Sequence, residues 1–276
     1  MIDFASVVSS LLPFHEQNIN ATFKALAKPV DESGPFAAIV KDLQPRELFN
    51  ELFSFLVLRE LGLPVPKAYL GLIPIAEGQL KKSPVMPNGQ RLAFLTTEVP
   101  SPSLKIAAGL QGKPSKHLID VCLDRVVPLL ATWPQLGELY AFDGWIANVD
   151  RNLGNILFGR RSSNGSPDIW LIDHGKAFTS EHWSSTHLIP DKSYANKLKN
   201  WASPRLSDPQ RATCLASASA FKSKADALDR EAKIDYLAKL FNLEDTDKHA
   251  VKAFLRDRLD KVEENSKDAL LMGGIV

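Results

Sequence analysis

The sequence contains only two cysteines, Cys122 and Cys214, with no C-x-x-C spacing and no neighbouring histidine cluster. This scarcity argues against a disulfide-stabilised scaffold and against a structural zinc site. A chain with two isolated thiols fits a reducing compartment, so we expect a cytoplasmic location.

Long hydrophobic runs and a basic amino-terminal region are also missing. The longest apolar runs, residues 53–58 and 70–76, are much shorter than the roughly 20 residues that a membrane-spanning helix needs. The first residues, Met1 to Phe4, carry no lysine or arginine, which a secretory signal peptide would have before its apolar segment. We therefore expect no export signal and no membrane contact.

An excess of charge of either sign is absent too, because 33 Lys and Arg residues almost balance 32 Asp and Glu residues. Without a strong positive field, direct binding of nucleic acid is not expected. What is present is an ordinary globular composition, with 45% hydrophobic and 24% charged residues in 276. That length suits one large domain or two modest lobes.

The first hundred residues read as strands around one helix. Apolar runs at 22–28 and 36–41, separated by a turn-forming stretch at 29–35, predict a hairpin. Apolar residues spaced by three and four between Pro45 and Gly62 predict an amphipathic helix of about four turns. Two further strands are predicted at 68–73 and 91–97. Two prolines within residues 100–103 then mark a boundary between an N-terminal lobe, residues 1–99, and a C-terminal lobe, residues 100–276.

The second lobe is predicted to be mostly helical, with one hairpin at 156–158 and 169–172. Helical patterns occupy residues 117–133, 136–147, 209–227, 231–241 and 246–271. The fold class is therefore α+β, with a small strand-rich N-lobe and a mostly helical C-lobe.

Three polar residues around that hairpin have the spacing of a phosphoryl-transfer site. Asp150 is followed by Asn155 just before the first strand, and Asp173 begins an Asp-x-Gly sequence just after the second. Phosphoryl transfer needs a carboxylate to orient or deprotonate the acceptor hydroxyl, and oxygen ligands to hold magnesium against the triphosphate. Asp150 with Asn155 five residues on, then an Asp-x-Gly, is the kinase catalytic-loop pattern apart from the residues preceding Asp150.

Three segments carry a more specific resemblance. They are residues 142–151 (FDGWIANVDR), 155–157 (NIL) and 171–175 (LIDHG). In these segments the chain resembles the HipA-like branch of the protein-kinase superfamily, which has Asn-x-Asp where ordinary protein kinases have His-Arg-Asp. The resemblance extends over residues 36–178 and implies a bilobal protein-kinase-like fold that uses ATP and Mg²⁺. It assigns Asp150 as the catalytic base and Asn155 and Asp173 as magnesium ligands.

The N-lobe supplies the companions that this resemblance implies. Residues 38–41 (AIVK) are close to the V-A-I-K strand, so Lys41 is expected to position the phosphates. The following helix offers Glu47 and Glu51 as ion-pair partners of this lysine, and the sequence around Glu51 is the more similar to the family. Glu98 and Val99 are expected at the hinge, where backbone groups would bind adenine.

The chain departs from the pattern at three places. No G-x-G-x-x-G precedes Lys41, and residues 16–21 stand in that position. Asn152 stands where the family usually has a histidine after the Asp-Arg pair. His174 replaces the phenylalanine of Asp-Phe-Gly, and we expect it to have a packing or hydrogen-bonding role rather than to bind a metal.

The resemblance implies a serine/threonine protein kinase. HipA-like kinases commonly act as growth-inhibiting toxins with a DNA-binding antitoxin, so an antitoxin-like partner is an expectation as well. The alternative enzyme is a small-molecule phosphotransferase of the aminoglycoside or choline type, for which an acid-lined acceptor pocket would be the sign. The alternative without turnover is a nucleotide-binding pseudokinase.

Basic residues around Trp201 are interpreted as a solvated surface; they are Lys192, Lys197, Lys199 and Arg205.

Overall fold

A computed structural model describes residues 1–14, 21–30, 34–75, 78–161 and 167–272. The N-terminal part is rich in strands, and the C-terminal part is helical apart from one hairpin. Residues 31–33 of the predicted turn-forming stretch 29–35 lie outside the described residues, as do residues 16–20 of the segment 16–21, which stands in place of a glycine-rich loop. The strands of the first part are β1 (Asp3–Val7), β2 (Leu12–Pro13), β3 (Thr22–Pro29), β4 (Phe36–Lys41), β5 (Ala68–Pro74) and β6 (Gln90–Thr97).

These strands form one sheet in the order β1-β5-β6-β4-β3-β2. Strand β1 pairs in parallel with β5 and also antiparallel with β3, which closes the sheet on itself. The predicted β3–β4 hairpin is present and pairs Thr22 with Lys41. The prediction of four strands was wrong, because β1 and β2 are also present. Strand β2 is two residues long and includes Pro13, so it leaves little pattern in the sequence.

Helix α1 (Pro45–Glu60) is the predicted helix, with proline in its first turn. The prediction that it is amphipathic was wrong, since every residue from Glu47 to Leu58 is buried. Its aromatic residues pack against the C-terminal part: the ring of Phe49 lies 5.8 Å from that of Phe178 and 5.7 Å from that of Trp183. A helix covered on all sides keeps a fixed position, and with it the polar residues that it carries.

The C-terminal part surrounds a larger hydrophobic core, to which α1 also belongs. A single helix predicted over residues 246–271 is instead two helices, α8 (Asp245–Leu259) and α9 (Val262–Ala269). The interruption lets Leu259 at the end of α8 and Val262 at the start of α9 both be buried in this core. Helices α2 and α5 are short and were not predicted. The helices are α2 (Leu104–Ala107), α3 (Lys116–Leu130), α4 (Leu136–Trp145), α5 (Lys197–Trp201), α6 (Asp208–Asp226), α7 (Arg230–Phe241), α8 (Asp245–Leu259) and α9 (Val262–Ala269).

The predicted hairpin of the C-terminal part consists of β7 (Ile156–Arg161) and β8 (Pro167–Leu171). Ile156 pairs with Leu171, so the residues just before β7 lie beside those just after β8. The backbone N–H of Ile172 donates to the carbonyl oxygen of Asn155 at 3.2 Å. Two stretches that are distant in sequence therefore meet at one end of the hairpin.

Within the described part of the chain, none of the helices combines the length and the apolar character that a membrane span needs. The boundary between residues 99 and 100 stays a prediction, since the core that contains α1 extends across it.

Asp42, next to the end of β4, holds a loop beside the sheet. Its buried carboxylate accepts hydrogen bonds from the backbone N–H groups of Lys81 at 2.7 Å, Lys82 at 3.0 Å and Ser83 at 2.8 Å. Burial by itself would raise the pKa of this carboxyl, but the hydrogen bonds outweigh burial and lower the pKa below its ordinary value.

We expect Asp42→Asn to lower the free energy of unfolding by about 2 kcal/mol at neutral pH, because an amide replaces an ionised acceptor of several hydrogen bonds. Since the folded-state pKa is the lower one, the ionised carboxylate stabilises the protein above the unfolded-state pKa of about 3.9. That stability is lost as the pH falls through the folded-state value. Urea unfolding of both proteins at pH 7 and at pH 3 measures this, and a difference that grows toward low pH would contradict it.

Candidate active site

A cleft of about 980 Å³ lies between the sheet and the helical part. Its walls combine apolar residues from β4, β6 and the hairpin with charged residues from α1 and the loops. Every site residue predicted from the sequence lines it: Lys41, Glu51, Glu98, Val99, Asp150, Asn155 and Asp173.

Lys41 lies at the centre of an ion-pair network. Its Nζ is 2.7 Å from Oε1 of Glu51 and 3.1 Å from Oδ1 of Asp173. The other oxygen of Glu51, Oε2, accepts the backbone N–H of His174 at 2.9 Å. Glu51 is buried, with only 1% of its side chain exposed. It therefore connects β4 to the Asp-x-Gly segment, and it is the acid of α1 that pairs with Lys41.

The network keeps Lys41 and Asp173 charged, whereas burial raises the pKa of Glu51 above its ordinary value. Burial alone would lower the pKa of the Lys41 ammonium, but the carboxylates of Asp173 and Glu51 raise it above its ordinary value. Burial would raise the pKa of Asp173, and Lys41 lowers it below its ordinary value. A cation and a carboxylate that both stay ionised at neutral pH therefore face the same end of the cleft.

The backbone at Asp173 is strained. Its φ of +60° lies in the left-handed region, which is unfavourable for a residue with a β-carbon. The hydrogen bond from the His174 N–H to Glu51 helps to hold this conformation. Strain of this kind persists only where the surroundings fix it, and it is common at functional sites.

The loop that carries Asp150 is closed by its own side chains. Nδ2 of Asn155 donates to the carbonyl oxygen of Asp150 at 2.7 Å, and the N–H of Asp150 donates to Oδ1 of Asn148 at 3.2 Å. Asn152, which stands where the resembled family has a histidine, accepts the N–H of Gly154 at 2.7 Å. These short-range bonds give the loop a defined shape.

Arg151 is a residue of the site whose role sequence reasoning missed. It is completely buried, and its guanidinium donates to both oxygens of Asp143, at 2.9 and 3.0 Å. It also donates to the carbonyl oxygens of Asn155 at 3.1 Å and Ile172 at 3.0 Å. Arg151 thus binds together the two backbone segments that carry Asn155 and Asp173. Its position directly after Asp150 was the only signal, and nothing in the sequence pairs it with Asp143.

His174 packs beneath this arrangement. Nη2 of Arg151 lies 3.0 Å from Nδ1 of His174, and the imidazole ring of His174 makes an edge contact with Phe142. An arginine can only donate, so Nδ1 accepts and the proton of the neutral ring is on Nε2. Burial, and then Arg151 and Lys41, lower the pKa of His174 well below its ordinary value. The ring is neutral at physiological pH, in accord with a packing and hydrogen-bonding role.

Asp150 has two lysine partners that sequence reasoning did not connect with it. Oδ1 forms an ion pair with Nζ of Lys197, and Oδ2 lies 3.4 Å from Nζ of Lys176. Helix α5, which carries Lys197, is attached to the catalytic loop because Nε1 of Trp201 donates to the carbonyl oxygen of Arg151 at 3.0 Å. Lys197 is 40% exposed, in agreement with its interpretation as part of a solvated surface, and its contact with Asp150 is the feature that the sequence did not indicate. Its neighbours do pair with exposed acids, as Lys199 does with Asp268 and Arg205 with Asp120 and Asp124.

At the predicted hinge, part of the backbone is already hydrogen-bonded within the chain. The N–H of Glu98 donates to the carbonyl oxygen of Ala37, and the carbonyl oxygen of Val99 accepts the N–H of Ser101, both at 2.8 Å. The side chain of Glu98 forms an ion pair with Lys24 at 2.6 Å. Among the described residues of the hinge, the C=O of Glu98 and the N–H of Val99 remain to bind adenine. They belong to one peptide group and point in opposite directions.

The donor set at the end of the hairpin fits magnesium. Nδ2 of Asn155 is engaged with Asp150, which leaves Oδ1 as an available ligand, and Asp173 offers an ionised carboxylate. No group of three or more His, Cys, Asp or Glu side chains is placed to hold a metal among the residues that the structure describes. Two protein oxygens suffice for Mg²⁺ when substrate phosphates and water complete its coordination.

The comparison with solved structures supports the fold. No family model matches the chain, and no curated protein matches it. Among solved structures, it is similar to the crystal structure of a Helicobacter pylori proinflammatory kinase, CtkA, with a TM-score of 0.59 over 97% of this chain and 98% of that chain. The identity is 13%, so the likeness shows a kinase-like fold. Membership of the HipA-like branch stays a prediction.

Proposed function

We propose that the protein is an ATP- and Mg²⁺-dependent phosphotransferase, and that it phosphorylates serine or threonine residues of proteins. The observation that carries this proposal is the network in which Lys41 contacts Glu51 and Asp173, in the same cleft as Asp150 and Asn155. The kinase-like fold of the structural neighbour supports the reaction class. The resemblance to HipA-like kinases supports the protein acceptor.

In this proposal each residue has one task. Lys41, held by Glu51, binds phosphate oxygens of the nucleotide. Asn155 and Asp173 would hold Mg²⁺, which supplies positive charge against the triphosphate. Asp150 orients the acceptor hydroxyl and takes its proton. A bond forms between the acceptor oxygen and the γ-phosphorus, the bond from that phosphorus to the bridging oxygen breaks, and ADP leaves with the electron pair.

The charges at Asp150 favour this function over a phosphotransferase for cationic small molecules. An aminoglycoside or choline acceptor would need acids around the catalytic carboxylate, whereas its two ion-pair partners are Lys176 and Lys197. A pseudokinase is less well supported, since it would not need the strained Asp173 or the buried Glu51. An antitoxin-like partner rests on the resemblance alone.

Transfer of labelled γ-phosphate from ATP tests the proposal. Purified protein is incubated with the nucleotide and Mg²⁺ or with excess EDTA, and the acceptors are the protein itself, dephosphorylated casein and the proteins of a cell lysate. Kanamycin and choline are tested in parallel. Phosphoserine or phosphothreonine that forms only with Mg²⁺ supports the proposal. Transfer to a small alcohol and to no protein, or ATP binding without any transfer, would overturn it.

A further inference from the structure

Two lysines from different parts of the chain share the carboxylate of Asp150. We propose that Lys176 and Lys197 form an anion-binding subsite that selects acceptor proteins with acidic residues next to the accepting serine or threonine. This inference rests on the proposed function and adds the charge of the substrate to it.

The backbone segments that carry the two lysines are held in place by contacts with other parts of the chain. Lys176 lies between two residues whose carbonyl oxygens accept hydrogen bonds from Nδ2 of Asn50, Gly175 at 2.7 Å and Ala177 at 2.9 Å. Asn50 is completely buried in α1. Lys197 is fixed by the bond from Trp201, at the other end of α5, to the catalytic loop. The two ammonium groups therefore reach Asp150 from separate, anchored elements.

The charges at this point do not cancel. Asp150 provides one negative charge against two positive charges, and within the described part of the chain neither lysine has a second acidic partner. The side chains of Lys176 and Lys197 are 32% and 40% exposed, so an incoming group can reach them. When Asp150 accepts the proton of the acceptor hydroxyl it becomes neutral, and both lysines are then left without a counter-charge. An acidic group on the acceptor would supply one.

The position of Lys197 favours the acceptor over the nucleotide as the source of the anion. Lys176 lines the cleft, whereas Lys197 is outside its lining and reaches Asp150 from α5. Lys41 already provides a cation for the triphosphate inside the cleft. Since the nucleotide would occupy the cleft, the acceptor would approach Asp150 from outside it, where Lys197 lies, and its acidic group would draw this lysine away from the carboxylate.

Two synthetic peptides test the inference, one with a central serine between glutamates and one with the same serine between lysines. We measure kcat/KM for phosphate transfer to each, and the binding of each by fluorescence anisotropy. For the unaltered protein the ratio of kcat/KM, acidic over basic, is expected to exceed about 10, the factor that corresponds to about 1.4 kcal/mol. Lys197→Glu and Lys176→Glu are each expected to lower this ratio about tenfold or more. The ratio cancels any loss of activity that is common to both peptides.

The control is Lys222→Glu. Lys222 is a similarly exposed lysine on α6, and it forms an ion pair with Asp260. It should leave the ratio unchanged. A ratio near or below one for the unaltered protein, or a ratio that stays the same in both site variants, overturns the inference. If no acceptor is phosphorylated at all, the proposed function fails. The anisotropy measurement then still tests the anion-binding subsite, because equal binding of the acidic peptide to the unaltered protein and to the Lys197→Glu variant overturns it.

Discussion

Replacing Asp150 by asparagine is expected to lower the rate of phosphate transfer by roughly 10²- to 10⁴-fold, while nucleotide binding persists. The amide has the size of the carboxylate but cannot take a proton from the acceptor hydroxyl. Lys41, which is expected to bind the phosphates, belongs to a separate network with Glu51 and Asp173. The loop itself is held through the backbone carbonyl of Asp150, which the substitution leaves intact.

The measurement pairs initial rates of labelled phosphate transfer with titration of a fluorescent ATP analogue. The matched control is Asp260→Asn, which removes an exposed aspartate from an ion pair with Lys222 and should change neither quantity. Asp150→Asn also frees Lys176 and Lys197, so the thermal unfolding of both variants is compared to show that the fold is kept. Transfer at an unchanged rate in Asp150→Asn would mean that this carboxylate is not the base.

Much of the fold could be predicted from local sequence. Strands β3 to β8 and helix α1 have the apolar runs and spacings from which they were predicted, and the turns and prolines between them mark their ends. The three polar residues around the hairpin were also recognisable, because Asn155 directly precedes one predicted strand, Asp173 directly follows the other, and Asp150 lies five residues before Asn155. Pairing of Ile156 with Leu171 is enough to bring their neighbours together.

The rest depends on contacts between distant segments. Strand β1 is defined by its neighbours β5 and β3, which supply hydrogen bonds that its own five residues do not predict. The burial of α1 on all sides is a property of the assembled core, whereas its spacing suggested one apolar face. Lys197 is 47 residues from Asp150, so the sequence alone offered no reason to separate it from the other basic residues around Trp201.

Arg151→Met is expected to lower the free energy of unfolding by about 3–5 kcal/mol, the usual effect of removing one member of a buried ion pair. Arg151 and Asp143 are both fully buried, so within the described part of the chain the carboxylate left behind would keep only the hydrogen bond from Asn148 Nδ2, at 2.8 Å. The carbonyl oxygens of Asn155 and Ile172 would also lose their shared donor. Because Asn155 is one proposed magnesium ligand and Ile172 adjoins the other, Asp173, phosphate transfer should become slower as well as the fold less stable.

Urea unfolding compares Arg151→Met with Arg151→Lys and with Arg256→Met, which removes an arginine whose side chain is 71% exposed. The surface variant should remain within about 0.5 kcal/mol of the unaltered protein. Lysine keeps the positive charge but has three N–H donors, whereas the guanidinium of arginine has five. The free energy of unfolding of Arg151→Lys should therefore lie between those of the unaltered protein and Arg151→Met. Adding Asp143→Leu to Arg151→Met removes the unpaired charge and should recover part of the stability without recovering transfer. A double variant that regained transfer would show that Arg151 supports the fold only, and does not position Asn155 and Asp173.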